Sequence, residues 1–197
     1  MRVVVINSIT LDGVMQSPGR PDEDTRNGFA HGGWAVARDD PAMRPWMGRR
    51  MGQPGYALLF GRRTYEDVLG SWNSRPDNPF AEPLNAAQKY VVSSNPSTPL
   101  SWPNSTLVVG DIPAEVAKLK ARPGGSLVIM GSGALIHSLL PHGLIDEFML
   151  LIHPLVVGSG LRLFPESGSV TELRLADSIT TTTGVILATY ERASALV

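Results

Sequence analysis

The chain has 197 residues, of which 43% are hydrophobic, and its formal net charge is −1. This length allows one domain with a substantial core, and we expect a single domain over residues 1–197. A charge so close to zero does not favour binding to nucleic acid or to an anionic membrane. The absence of cysteine excludes disulfides and thiol chemistry. No apolar run approaches the roughly 20 residues of a membrane span and no signal peptide is evident, so we expect a cytoplasmic protein.

The first predicted element is a strand, Val3 to Ile6, whose continuous apolar run is typical of a central strand covered on both faces. Residues 7–13 then turn away and end in Asp12-Gly13. Asp-Gly is a common turn pair. The carboxylate of Asp12 also follows the carboxyl end of a strand, where ligand crevices open in α/β sheets. Asp12 is therefore either a turn residue or a ligand-facing group.

Residues 16–38 are rich in glycine, proline and charge, and a loop of this length is usually functional or mobile. Asp39-Asp40-Pro41 marks a helix start after the loop, and Pro45 requires the helix to begin near it or to kink there. Several large side chains lie on or beside one face of this helix: Met43, Trp46, Met47 and Met51. This stripe favours a core role over a substrate pocket.

A second buried strand, Tyr56 to Phe60, runs directly into Gly61-Arg62-Arg63-Thr64. Thr64 and Asp67 have the spacing of a capping box, which predicts that a helix begins here. Cations at a helix start oppose the helix dipole. Arg62 and Arg63 are therefore either a solvated pair or ligands of a nearby anion, which guanidinium groups bind in a bidentate manner.

The longest regular pattern runs from Ser126 to Phe164. A strand at Ser126–Met130 leads into Gly131-Ser132-Gly133, a helix that Pro141 ends, and another strand at Phe148–Ile152. A glycine turn between a strand and a helix directs backbone N–H groups and the positive end of the helix dipole at one point, which favours phosphate. A lone G-x-G is also compatible with a plain tight turn.

The remaining apolar runs complete the predicted sheet. Strands are expected at 89–93 and 106–109, and a terminal hairpin at 173–179 and 185–190. Short helices separate the first six strands, so they should be parallel. We expect an α/β fold with a central, mostly parallel sheet of about eight strands, an antiparallel C-terminal hairpin and helices on both faces.

Two further features concern metals and assembly. The four histidines, His31, His137, His142 and His153, lack the spacing of metal ligands, so we expect structural or solvent roles and no metal site. The strands 148–152 and 185–187 carry more apolar surface than one small domain needs. A homodimer is the commonest way to cover such a surface, and we expect one.

Three features, in the same order along the chain, resemble the dihydrofolate reductase-like superfamily, in the branch similar to the reductase domain of the bacterial riboflavin-pathway enzyme. They are the strand end Ser8–Gly13, the junction Leu59–Glu66, and the Gly131–Gly133 turn followed by Gly143–Glu147 and Pro154–Gly160. The resemblance spans most of the chain. It implies a reductase fold that binds NADPH in an extended pose and acts on a small molecule.

The same resemblance implies positions for the cofactor and substrate. The adenosine phosphates, including the 2′-phosphate, would contact Gly61, Arg62, Arg63 and Thr64, and the adenine side would contact Ser93 and Ser94. The pyrophosphate would contact Gly131, Ser132, Gly133, Ala134, Leu135 and Ile136. The nicotinamide would be bordered by Asn7, Ser8, Asp12, Gly13 and Val14, and the substrate by Asp12, Trp46 and Met47.

Two departures separate the chain from its better-known relatives. Folate reductases resemble one another in a carboxylate on the helix before the Gly-Arg-x-Thr junction, which falls near Pro45 and Trp46 here. The riboflavin-pathway domain typically has Asp-Asp-Pro where this chain has Tyr65–Gly70, and we expect no deaminase domain before these motifs. A stand-alone relative with its own substrate fits better.

Two hypotheses follow. In the first, the protein is an NADPH-dependent reductase of a pyrimidine-like or pterin-like heterocycle or of a carbonyl compound. The proton then comes from water or Asp12, which would be the catalytic residue, and residues 16–38 act as a lid. In the second, the fold binds a nucleotide without turnover, as a sensor or scaffold.

Overall fold

The computed structural model describes residues 1–75, 81–168 and 170–193. Eight strands lie within these residues: β1 (Arg2–Thr10), β2 (Ala57–Gly61), β3 (Gln88–Val92), β4 (Ser105–Val108), β5 (Ser126–Met130), β6 (Glu147–His153), β7 (Leu173–Thr180) and β8 (Ile186–Arg192). They form one sheet in the order β4-β3-β2-β5-β1-β6-β8-β7.

Helices lie between successive parallel strands except β3 and β4, where residues 93–104 form no helix, so the expectation of a short helix between each pair of the first six strands is wrong there. The described residues form α1 (Met43–Met51), α2 (Arg62–Asn73), α3 (Ala81–Ala86), α4 (Ile112–Lys120) and α5 (Gly133–Leu139). The first six strands are mutually parallel, whereas β8 is antiparallel to both β6 and β7. The prediction of a mostly parallel sheet with an antiparallel C-terminal hairpin is therefore confirmed, and the carboxyl ends of six strands meet at one edge.

The core lies on both faces of the sheet. On one face, α4 and α5 pack against the odd-numbered apolar residues of β1, with Val116, Leu119, Leu135 and Ile136 buried. On the other, α1 and α2 cover the even-numbered residues Val4 and Ile6. Met43 and Trp46 are buried in this second cluster, and Met47 and Met51 pack against it. The methionine stripe is therefore part of the core, as expected.

Two element boundaries differ from the prediction. β1 does not turn away after Ile6 but continues to Thr10, because β6 pairs with it as far as His153. This extension places Asn7 and Ser8 inside a strand, on alternate faces. α2 begins at Arg62 rather than at Thr64, and Gly61 is its N-cap without a side-chain hydrogen bond. The capping box expected at Thr64 does not form, since Thr64 lies in the first turn of the helix.

The strands that suggested a homodimer bury their apolar side chains within the protomer. Phe148 and Leu151 are buried, and Val185 and Leu187 are fully buried beside them. Most of the apolar surface assumed for 148–152 and 185–187 is therefore core, and Ile186 is the exception because it is exposed. Leu175 of β7 is a second exposed apolar residue on the outer strands.

Buried ion pairs hold the amino ends of the central strands. Glu147, at the start of β6, is fully buried and accepts two hydrogen bonds from Arg50 of α1, at 2.7 and 2.8 Å. Arg2 of β1 approaches the same carboxylate at 3.1 Å. Asp146 accepts hydrogen bonds from the Val3 N–H at 2.9 Å and from Lys120 at 2.5 Å. The Gly143–Glu147 motif therefore anchors the fold at the edge opposite the carboxyl ends of the parallel strands.

No helix in the described ranges combines the length and apolar character that crossing a membrane requires.

Candidate functional site

The carboxyl ends of β2, β5 and β1, which are adjacent in the sheet, converge on the Gly131-Ser132 turn. The side-chain oxygen of Asn7 accepts a hydrogen bond from the Gly131 N–H at 2.7 Å. The Ser132 hydroxyl accepts one from the Gly61 N–H at 2.8 Å. A Cβ atom on Gly131 would lie 3.1 Å from the Thr64 methyl group, so α2 closes the third side. Three predicted cofactor segments thus meet at one place.

The backbone of this turn is in a conformation that most residues avoid. Gly131 has φ +66° and Ser132 has φ 64°, both in the left-handed region. A side chain at Gly131 would be strained and would also crowd Thr64. Substitution there therefore perturbs the fold together with any ligand site.

In the predicted pyrophosphate segment, residues 131–136, the backbone rather than the side chains is available to a ligand. Leu135 and Ile136 point into the core, and Gly133 is buried against Leu161 and Met15. A Cβ atom on Gly133 would lie only 2.6 Å from a terminal methyl group of Leu161, so a side chain here would require Leu161 to move. Ala134 is exposed. The sequence motif therefore has a packing role at Gly133 and an open position at Ala134.

The two arginines at the start of α2 have different surroundings. Arg62 donates to both carboxylate oxygens of Glu66, one helical turn away, at 2.9 and 2.7 Å. Within residues 1–75, 81–168 and 170–193, exposed Arg63 makes no ion pair. Asp67, which the sequence suggested as a second support for this pair, bonds Arg20 at 2.5 Å instead. Arg63 is thus the more available cation at this helix start.

The serines after β3 also differ. The Ser93 hydroxyl is buried and accepts hydrogen bonds from the Asn95 N–H at 3.1 Å and from Thr98 at 2.7 Å. Ser94 is exposed. Ser93 shapes the turn that follows the strand, and Ser94 presents its side chain at the surface.

Asp12 holds two loops together. Its carboxylate accepts hydrogen bonds from the Thr10 hydroxyl at 2.5 Å and from the N–H groups of Val157 and Gly158 at 3.2 and 2.8 Å. The Thr10 hydrogen bond, together with these backbone donors, lowers the pKa of Asp12 to about 2. Asp12 is therefore ionised and already accepts three hydrogen bonds, which favours its role as a turn residue over a role as proton donor.

The next two residues, Gly13 and Val14, complete the turn that contains Asp12. Gly13 has φ +80° and no protein atom lies within 4 Å of the position a Cβ atom would take. Val14 is fully buried, and its N–H donates to the Thr10 hydroxyl at 2.9 Å. Of the two, Gly13 is the one with open space beside it.

The 16–38 segment is folded against the body of the protein. Arg20 joins it to α2 through Asp67. The Trp34 indole N–H donates to the Gln16 carbonyl at 2.7 Å, and Thr183 donates to the Arg38 carbonyl at 2.9 Å. This segment therefore lies close to α2, the helix that begins with Arg62 and Arg63, and to the ends of β6 and β8.

One buried group near this edge was not singled out by the sequence. His153, the last residue of β6, pairs with Thr10 at the end of β1 and is 1% exposed. Its ring meets the Trp34 ring edge to face, with centroids 5.1 Å apart. Burial, with a smaller contribution from Arg38, lowers the pKa of His153 to about 4. The local pattern of one histidine before a proline carried no signal of this environment.

A separate cavity of about 480 Å³ lies between the 26–29 turn, α5 and the 159–166 loop. Its lining includes Gln16, Phe29, His137 and Arg162. The Nε2 atom of His137 lies 3.0 Å from each of the carbonyl oxygens of Arg162 and Leu163. None of the predicted cofactor residues lines this cavity, so it is distinct from the edge described above.

A mostly parallel eight-strand sheet with a glycine turn and an arginine junction at its carboxyl edge defines a protein with a reductase fold of the dihydrofolate reductase type. The chain belongs to the RibD C-terminal domain family, whose family model matches residues 2–187.

Individual proteins and solved structures are also similar to this chain. The uncharacterized protein YyaP of Bacillus subtilis is 27% identical over 195 residues, which cover 96% of this chain and 94% of YyaP. A crystal structure of a protein named for riboflavin biosynthesis, from Shewanella sp. PV-4, has TM-score 0.68 and 22% identity, covering 98% of this chain and all of that one. Dihydrofolate reductase from Enterococcus faecalis, complexed with NADP(H), has TM-score 0.57 and 18% identity, covering 98% and 97%. The two structures establish similarity of fold.

Proposed function

We propose that the protein is an NADPH-dependent reductase that transfers a hydride to a small heterocyclic or carbonyl substrate. The observation that carries the proposal is the convergence of Asn7, Gly61 and Thr64 on the Gly131-Ser132 turn. A relative with the same fold is complexed with NADP(H). These segments are also those that the sequence resemblance assigns to the cofactor.

The residues at this edge fit such a cofactor. Gly61, the N-cap of α2, has no side chain that could accept hydrogen bonds from the helix. The first backbone N–H groups of this 12-residue helix therefore remain available to an anion. Arg63 adds an unpaired cation among the described residues. The space beside Gly13 is free of protein atoms within 4 Å. We assign the adenosine phosphates to Gly61–Thr64, the pyrophosphate to the Gly131–Ala134 backbone and the nicotinamide to the Asn7–Gly13 side.

When bound, NADPH supplies the hydride. The protein has to orient the cofactor, hold the acceptor beside it and exclude bulk water. Ser8 lies on the α1 side of β1, where Met47 of α1 is partly buried and completes the substrate side with Trp46. Because the carboxylate of Asp12 is ionised and occupied, we assign the proton to water, and Asp12 positions the Val157–Gly158 loop.

The test is a screen for turnover. The purified protein is mixed with NADPH and with dihydropterins, pyrimidines, flavins or small quinones, and the loss of nicotinamide absorbance is followed. We expect at least one acceptor class to be reduced at a rate that requires the protein. NADPH binding without reduction of any of these acceptors would contradict the reductase proposal.

One observation favours a second candidate, a nucleotide-binding protein without turnover. α1, with the sequence MRPWMGRRM, carries no carboxylate to support protonation of a bound ring. In this case NADPH binds at the same edge, and the 16–38 segment responds to it. Binding that changes protease cleavage of this segment, together with no turnover, would support this candidate.

We also propose that the protein is a homodimer, through a surface that shares only Ile186 with the residues expected from the sequence. Leu175 and Ile186 are exposed on the α4 and α5 side of the outer strands, and Phe164 lies on the same side against Phe148, with ring centroids 5.5 Å apart. A two-fold contact would cover this patch. Light scattering should give a dimer for the wild type and a monomer for Leu175→Asp. A monomeric wild type at micromolar concentration would contradict it.

A further inference from the structure

Two buried residues have polar side-chain atoms without hydrogen-bond partners. Among buried side-chain nitrogen and oxygen atoms of the described residues, these are Trp46 Nε1 and both ring nitrogens of His153. Folded proteins satisfy nearly all such atoms, so an unpaired one requires an explanation. An active site that satisfies them only when a ligand is bound is one such explanation.

Both residues lie on the same face of the sheet. Along β6, Met149 and Leu151 point into the cluster that α1 and α2 cover, and the two-residue period of a strand places His153 on that face as well. Trp46 of α1 is buried in the same cluster.

His153 is also close to the proposed nicotinamide side. It is paired with Thr10, and the residue two positions before it, Leu151, is paired with Ser8. The unpaired imidazole therefore lies at the edge of the sheet where the proposed hydride acceptor binds.

The 16–38 segment covers this imidazole. Trp34 meets it edge to face, at an interplanar angle of 87°, and is itself largely buried. The indole is held by one hydrogen bond to the Gln16 carbonyl, within its own segment. Movement of this segment would uncover the ring of His153.

The chemistry of His153 restricts what it recognises. The low pKa of His153 keeps its ring neutral near pH 7, with one N–H donor and one nitrogen acceptor. A neutral amide-type edge, which presents an N–H beside a carbonyl oxygen, matches this set. A cationic amidine edge does not, because α1 carries no carboxylate.

We propose that His153 is a specificity-determining residue that hydrogen-bonds a neutral amide-type edge of the hydride acceptor after Trp34 has moved away. The inference rests on the proposed reductase function, because it assigns a substrate contact of that site.

The first experiment tests whether Trp34 covers His153. Diethyl pyrocarbonate modifies accessible imidazoles, and peptide mass spectrometry locates them. In the wild type, His153 should stay unmodified while the exposed His31 and His142 react. Trp34→Ala should raise the rate at His153 by at least about tenfold, and Trp34→Leu, which keeps apolar bulk, should raise it less. Protection of His153 in both folded variants would overturn the role of Trp34.

The second experiment tests the contact. The acceptor is the pterin, pyrimidine, flavin or quinone that the wild type reduces with NADPH. His153→Phe keeps an aromatic ring against Trp34 but has no ring nitrogen, and it should lower kcat/KM by about ten- to hundredfold. The melting temperature and the NADPH affinity should change little. His153→Gln, which keeps a donor and an acceptor, should recover most of the loss, and the exposed control His142→Phe should match the wild type.

The outcomes separate the two proposals. If the wild type reduces none of these acceptors, the reductase proposal fails and the assignment of His153 as a substrate contact fails with it. If the wild type reduces an acceptor and His153→Phe does so equally well, only the assignment of His153 is overturned. A parallel fall in melting temperature and NADPH affinity in both His153 variants would show a core role instead.

Discussion

The two edges of the sheet are built differently. At the amino ends of the strands, Glu147 and Asp146 are each held by charged or backbone donors from other elements. At the carboxyl ends, the described residues include an arginine without an ion pair, Arg63, and an imidazole without a hydrogen-bond partner, His153. One edge satisfies its polar groups internally, whereas the other leaves some available, and this difference supports the site that we propose at the carboxyl edge.

The largest expected effect is at the amino edge. Glu147→Gln leaves Arg50, whose side chain is 27% exposed, facing a neutral amide at the fully buried position of the carboxylate. Breaking one partner of a buried ion pair costs about 3–5 kcal/mol. Chemical denaturation should show a loss of this size.

The exposed pair Lys118–Glu115 provides the matched control. Glu115→Gln should change the free energy of unfolding little, because exposed pairs contribute little. Equal effects of the two Glu→Gln changes would mean that the amino edge does not anchor the fold.

The second prediction is a pH dependence that originates at the carboxyl edge. The folded pKa of His153, about 4, lies below its unfolded value of 6.5. Above pH 6.5 the ring is neutral in both states and has no effect. As the pH falls from 6.5 towards 4, only the unfolded state takes up the proton, so stability is lost, by at most about 3 kcal/mol.

His153→Phe should remove this slope, and urea denaturation at several pH values measures it. The groups facing the imidazole are Arg38, which is charged throughout this range, and the indole of Trp34, which does not titrate. An equally steep loss of stability in His153→Phe would assign the slope to other groups.

The third prediction concerns cofactor choice. NADPH carries a 2′-phosphate that NADH lacks, and a charge-assisted contact contributes about 1.5–3 kcal/mol. Arg63→Ala should therefore weaken NADPH binding about ten- to hundredfold and leave NADH nearly unchanged. Arg62→Ala should have the smaller effect, because Glu66 already holds that guanidinium.

Titration of both cofactors into both variants measures these effects. Equal losses of affinity for NADPH and NADH would show that the arginines do not bind the 2′-phosphate. They would then bind the pyrophosphate or support the fold.

The smallest effect is expected at Asp12. In Asp12→Asn, the new amide N–H₂ group replaces an oxygen that accepts from Thr10 or from the Val157 and Gly158 N–H groups. The variant should lose about 1–2 kcal/mol of stability and retain its kcat at temperatures where it is folded. Thermal unfolding and steady-state kinetics measure the two. A large fall in kcat at unchanged stability would restore Asp12 as a catalytic residue.

Local sequence predicted the fold well because most of the parallel strands contain continuous apolar runs and most of the helices between them have clear start and stop signals. All eight predicted strands are present. The two errors in boundaries, at Ile6 and at Thr64, arose where a distant partner decides the structure. β1 is extended by its pairing with β6, and the N–H of Gly61, the N-cap of α2, is bound by the Ser132 hydroxyl.

The candidate site was only partly predictable for the same reason. The Gly131-Ser132 turn and the Arg62-Arg63 junction are local patterns. The hydrogen bond from Gly131 to Asn7 joins residues 124 positions apart, and that from Gly158 to Asp12 spans 146. The contact of His153 with Trp34 has no local signature either. Such contacts fix what each side chain does, and they emerge only in the folded chain.

The central claim is that the carboxyl edge of the sheet binds NADPH. The most direct measurement is a titration of NADPH, and separately of NADH, into the wild-type protein, followed by energy transfer from tryptophan to the bound nicotinamide. We predict saturable binding of one NADPH per chain, at least about tenfold tighter than NADH. No saturable NADPH binding, or equal affinity for the two cofactors, would contradict the account.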